Sequence, residues 1–201
     1  LIMKKLLGIV VLGLLWCNIS FADDPNDCPG ISQSAIQALM KKEYSAALKF
    51  AEESRNKENV ACADFILGNL YFEGWGVEKN QIKGLDFYKQ AAEKGHDIAQ
   101  KFLGAAYFKG IGTDKNHALA EKWFKILAEK DNVNGQTYLG YIYVMGDGVN
   151  QNLIESYMWF YIVSKKHPEP ARSEMKKIEN YMSAADVASA IKKANEWLSS
   201  R

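Results

Sequence analysis

Histidines, cysteines and Gly-x-Gly pairs are the residues of this 201-residue chain whose types could do chemistry. Imidazoles and thiolates bind metals or act as bases and nucleophiles, and glycine-rich loops cradle phosphates. The spacing supports none of these uses. His96, His117 and His167 fall at inter-helix loops or helix starts, with no His-Glu-x-x-His pattern, and are expected to be solvated surface residues. The pairs Gly74/Gly76, Gly110/Gly112 and Gly146/Gly148 have no Gly-Lys-Ser/Thr after them, and each follows a helical segment, at the negative end of its dipole. Neither a Gly-x-Ser-x-Gly elbow nor a Lys-Thr-Gly occurs, and zinc hydrolysis needs more histidine than the chain has. No catalytic residue, metal ligand or cofactor site is assigned, and an enzyme is not expected.

What the glycine pairs do mark is a period. Leu67 to Gly76 (LGNLYFEGWG) returns as LGAAYFKGIG from Leu103 and as LGYIYVMGDG from Leu139, each offset by 36 residues. Other columns keep step: Ala63, Ala99, Gly135 and Ala171; Asn80, Asn116 and Asn152; Phe87, Trp123 and Trp159; Tyr88, Phe124 and Phe160. A fixed period of this length predicts stacked helix pairs, a fold that presents surface. Ala63, Leu67, Leu70, Tyr71 and Gly74 fall on one helical stripe, which defines the first helix of a pair. Gly68, Gly104 and Gly140 sit at the stripe's edge, where a missing side chain admits the paired helix. The glycine pairs close that helix in the left-handed conformation, and the asparagines cap the next one. Glu155, three residues after Asn152, resembles the acidic half of a capping box.

The expected organisation is a signal segment at 1–22, a degenerate helix pair at 23–60, repeats at 61–96, 97–132 and 133–168, and a partial repeat with a capping helix at 169–201. The second helix of the degenerate pair should cover about 43–55, and Ser183 to Asp186 should open the last helix, carrying Trp197. The signal reading rests on Lys4 and Lys5, an apolar run from Leu6 to Trp16, and Ser20-Phe21-Ala22 as the cleavage site. The run is about 11 residues where a membrane span needs roughly 20. Trp16 stands where a lipidated Cys17 would need a small residue. Export to the periplasm or beyond is expected, with no membrane span once the signal is removed.

Removing the signal takes two of the 25 basic side chains, against 24 acidic ones, so no basic field remains to attract nucleic acid. It also takes Cys17 and leaves Cys28 and Cys62, which a disulfide would pair in an oxidising compartment; two unpaired thiols are the alternative.

Leu-Gly-x-x-Tyr-x-x-Gly-x-Gly, followed by asparagine and an alanine- and aromatic-rich helix, resembles the Sel1-like repeat (SLR), a tetratricopeptide relative, over about residues 61–170. Gly84 stands where that family prefers alanine, Asp131 and His167 replace the glycine seen at Gly95, and Thr113 replaces the valine of Val77 and Val149. The resemblance implies an all-α fold, a right-handed α/α superhelix (solenoid) of antiparallel helix pairs. It also implies an adaptor or scaffold that binds another protein or peptide in the envelope or with a host, with a monomer favoured. Some cysteine-rich relatives are described as β-lactamases, which keeps an envelope hydrolase as a rival reading. A wall-glycan module using Trp75, Tyr141 or Trp197 is another.

Opposite the core stripe, helical geometry places Phe65, Asn69 and Phe72 in the first repeat, Lys101, Ala105 and Phe108 in the second, and Thr137, Tyr141 and Val144 in the third. These nine are the candidate partner-binding groove. Phe72, Phe108 and Val144 share a register and would form an apolar ladder, open to a partner or packed between neighbouring repeats.

Overall fold

The computed structural model describes residues 31–57 and 60–201. The expected signal segment, its cleavage after Ala22, and Cys17 and Cys28 lie outside them. Ten helices and no strand are found among the described residues: α1 (Ile31–Met40), α2 (Tyr44–Arg55), α3 (Val60–Glu73), α4 (Gln81–Glu93), α5 (Asp97–Lys109), α6 (His117–Glu129), α7 (Val133–Met145), α8 (Leu153–Ser164), α9 (Pro168–Glu179) and α10 (Ala184–Ser199). The all-α expectation is met, and α2 begins within a residue of its expected start. No described helix is long and apolar enough to cross a membrane.

The repeat columns have the local roles that their chemistry predicts. Asn80, Asn116 and Asn152 each hold an extended backbone, and their side chains accept the amide of the third residue on, at 3.0, 2.9 and 3.0 Å. Gly110 and Gly146 close α5 and α7 at φ 70° and 63°, in the left-handed region where a side chain would be strained. Ser183 and Asp186 make the full capping box of α10. Glu155 makes no such box. Its carboxylate instead pairs with Lys193 of α10, a cation 38 positions on.

The helices form two compact units, divided between Lys115 and Asn116. In the first, α1 to α5 pack each on the next. Residues 62–70 of α3 are all buried, so this helix has no solvated face. Gly68 permits the contact with α4: a Cβ there would stand 2.5 Å from the Tyr88 ring. Asp64, fully buried, lies 2.8 Å from Arg55 Nε and 2.7 Å from Lys94 Nζ, so one carboxylate ties α2, α3 and α4.

In the second unit α6, α7, α8 and α9 pack in series, and α10 folds back on α8. Tyr138 stacks on Phe124 at 4.3 Å, and a Cβ on Gly140 would come within 2.7 Å of the Phe160 ring. Tyr143 donates to Glu121 and Tyr157 to Glu179, each at 2.5 Å. Trp197 of α10 meets Trp159 edge to face at 5.5 Å.

Candidate functional site

The face set aside for a partner is mostly interior. Phe65 is buried, stacks on His96 at 4.5 Å, and meets Phe102 of α5 at 6.1 Å. Asn69 is buried: its amide donates to Phe65 O at 2.8 Å and its carbonyl accepts from Tyr88 Oη at 3.0 Å. Phe72 is half-buried against Tyr88, Lys101 is half-buried, and Ala105, Phe108 and Val144 are buried. The apolar ladder is therefore packing and not an open groove. The reason is the burial of α3 on every side over residues 62–70, and of most of α5 and α7, which an amphipathic-stripe argument does not anticipate.

Thr137 and Tyr141 are different. They line a cavity of about 650 Å³ bounded by α7, α8 and α9, together with Val133, Asn134, Phe160, Val163, His167, Pro170, Ala171 and Glu174. Phe160, Val163 and Ala171 are buried and give it an apolar floor. Tyr141 meets Phe160 edge to face at 5.2 Å, and Thr137 Oγ1 donates to Val133 O at 2.7 Å. Glu174 is the lining carboxylate; its side chain is 13% exposed, and its Oε1 lies 2.8 Å from Lys177 Nζ. Burial, and secondarily the negative charge of Glu174, push the Tyr141 phenol up to about 12. At neutral pH the phenol is therefore a hydroxyl donor and not an anionic nucleophile. The Thr137 hydroxyl is already committed to the backbone. This is the chemistry of binding: an apolar chamber with a few convergent polar groups.

Half of this chamber comes from α8 and α9, and the sequence reading did not select those residues. A signal was present, since the column Ile66, Phe102, Tyr138 continues as Glu174, a carboxylate where three repeats place a large apolar or aromatic side chain. The histidines also need correction. His96 and His117 are buried, not solvated. His96 caps α5, Nδ1 accepting from Ala99 N at 3.2 Å. His117 Nδ1 donates to Asp147 O at 2.7 Å, tying the start of α6 to the turn after α7. Their helix-start positions, taken as a sign of exposure, turn the rings inward as caps and ties. His167 is exposed apart from its contact with the chamber, and it makes no side-chain cap to α9.

A Ser-x-x-Lys spacing also occurs, at Ser54–Lys57, Ser173–Lys176 and Ser189–Lys192. Ser54 is buried at the end of α2, Ser173 and Lys176 are both exposed on α9, and none of the three pairs lines the chamber. Among the described residues no three His, Cys, Asp or Glu side chains approach closely enough to hold a metal ion. Of the aromatic residues considered for glycan stacking, Trp75 stacks on Tyr44 at 5.8 Å, and Trp197 lies between Trp159 and the Arg201 guanidinium, which sits 3.8 Å from its ring centroid. Cys62 is buried near the start of α3.

Comparison with known proteins agrees with this architecture. The family model described as Sel1 repeat matches residues 63–96, 97–132 and 133–162. No curated protein matches. Among solved structures, a Sel1 repeat protein from Oxalobacter formigenes is 30% identical with a TM-score of 0.62, over 73% of this chain and 58% of its own. A protective antigen of uropathogenic Escherichia coli strains, displaying an SLR fold, is 23% identical with a TM-score of 0.67, over 84% of this chain and 38% of its own. This chain thus spans little more than half of the first and well under half of the second. Three tandem repeats, the capped and glycine-closed helices, and these two likenesses agree on one assignment: the fold is an all-α helical repeat, and the chain belongs to the Sel1 repeat family.

Proposed function

We propose that this protein is an exported, non-enzymatic adaptor whose third repeat holds a segment of a partner protein in the chamber bounded by α7, α8 and α9. Sel1 repeats generally serve protein–protein interaction. The observation that carries the reading here is the chamber: about 650 Å³, floored by Phe160 and Val163, with Tyr141 and Glu174 among its polar groups. That volume suits a side chain and its flanking backbone better than a flat protein face.

Export rests on the leader-like segment ending at Ala22, and it places the protein in the periplasm or the medium. The oxidising compartment in turn favours a Cys28–Cys62 disulfide, closing a loop of about 35 residues and stabilising the fold by roughly 3 to 4 kcal/mol in the chain-entropy model. Intact mass with and without reductant tests the bond: two hydrogens gained on reduction support it, and an unchanged mass removes it.

The test of function is affinity capture from the source organism's envelope and medium, with the native sequence and with Thr137→Phe, a substitution that fills the chamber. One dominant partner lost on Thr137→Phe, with thermal unfolding unchanged, supports the reading. The same partner retained by the variant removes the chamber from the binding surface. Wall fragments alone in the eluate would favour the glycan reading.

A further inference from the structure

The chamber's floor is apolar, but one of its lining side chains is a carboxylate in a place where the other repeats need none. Positions 66, 102 and 138 are Ile66, Phe102 and Tyr138, and the next residue in that column is Glu174. An apolar side chain would fill the space at no solvation cost, whereas a carboxylate with 13% of its surface exposed must be desolvated in part and held by its bond to Lys177. Lys177, at 38% exposure, reaches Glu174 from farther along α9 and is not among the chamber's lining residues. Glu174 therefore presents negative charge to a partly open cavity with an apolar floor.

We propose that the chamber selects a basic side chain, lysine or arginine, from the partner segment; this rests on the adaptor reading above. The aliphatic stem of such a side chain lies along Phe160 and Val163, which replace its contact with water. Its cationic head reaches the Glu174 carboxylate, making a charge-assisted hydrogen bond in a volume of reduced dielectric. The Tyr141 ring, which lines the cavity beside Phe160, stands among the aromatic groups that such a cation would meet. An apolar side chain gains only the floor, and an acidic one meets Glu174 with like charge, so the chamber discriminates by the sign of charge at the tip of a long stem.

The experiment is an NMR titration of the isotope-labelled full chain with three blocked pentapeptides, Ala-Ala-X-Ala-Ala, in which X is lysine, norleucine or glutamate. The proposal expects shifts at the Thr137, Tyr141 and Glu174 amides, with lysine bound roughly tenfold more tightly than norleucine, the range set by one hydrogen bond to a charged group. Glu174→Gln, close in shape and carrying no charge, should bring lysine down to the norleucine level and leave norleucine unchanged. Equal binding of lysine and norleucine, both lost in Thr137→Phe, overturns the basic-side-chain proposal and leaves the adaptor reading intact. A preference for the glutamate peptide overturns it as well. No shift with any of the three overturns it too, and the adaptor reading is then decided by the Thr137→Phe capture alone.

Discussion

Glu174 and Tyr141 are coupled through space, and that coupling can be titrated. Burial first, and the Glu174 charge second, raise the Tyr141 phenol to about 12, above the ordinary value near 10. The neutral phenol is thus favoured by the fold. Its contribution to stability is fully present below about pH 10 and is lost as pH rises through about 12. Glu174→Gln removes the second cause only, so the Tyr141 titration should move down from about 12 without reaching 10. Tyrosine ring NMR through an alkaline titration reads this directly; a midpoint unmoved by the variant would show that burial alone sets it. Thr137 and Tyr141 were legible in the sequence because they share a helix face. Glu174 was legible only as the exception in an aligned column. The burial of His96 and His117 was not legible, because nothing in a loop histidine's neighbours along the chain says which way its ring will turn.

Elements were the most legible level, since helix ends are set by local chemistry. Asparagine caps and left-handed glycines act within a few residues of themselves and need no tertiary partner. What sequence periodicity missed was how far α3 and α7 are enclosed: residues 62–70 bury every face, including the one assigned to a partner. Enclosure depends on the helices packed on both sides of an element, so a single helix's stripe does not report it. Close approach makes a sharper prediction. Alanine is a better helix former than glycine by about 1 kcal/mol, yet a Cβ on Gly140 would stand 2.7 Å from the Phe160 ring. Gly140→Ala should therefore destabilise the second unit by about 1 to 3 kcal/mol, because overpacking outweighs propensity. Denaturant unfolding measures it, and a stabilised variant would show that Phe160 can swing aside. Gly84, unusual for the family, has the same explanation: its Cβ would meet the Phe72 backbone nitrogen at 2.7 Å.

At the scale of the whole molecule, α10 closes the second unit by covering α8. Trp197 rests on Trp159, Lys193 pairs with Glu155, and Arg201 reaches Glu129 O and lies 3.7 Å from Asp131. Trp197→Ala should cost about 2 to 3 kcal/mol, toward the low end for loss of a large aromatic because the side chain is only half-buried. Hydrogen exchange should show the loss at α8 and α9 amides first; unchanged protection there would mean that α10 covers without stabilising. Along the repeats, one register holds a consequence of another kind. Asp64, Gln100, Gln136 and Arg172 occupy the same column, and their surroundings differ. Asp64 needs Arg55 and Lys94, Gln100 donates to Ala92 O at 3.0 Å, and Gln136 is buried with neither amide atom hydrogen-bonded among the described residues. A gene duplication or unequal crossover that copied α3 into a later slot would keep the 36-residue spacing and the lysine column of Lys94, Lys130 and Lys166, but would leave the buried carboxylate without its Arg55 partner, where Ala91 and Leu127 stand instead. The repeats share a shape but not an address: a copied α3 keeps one of its two cations and loses the other unless the helix before it is copied as well.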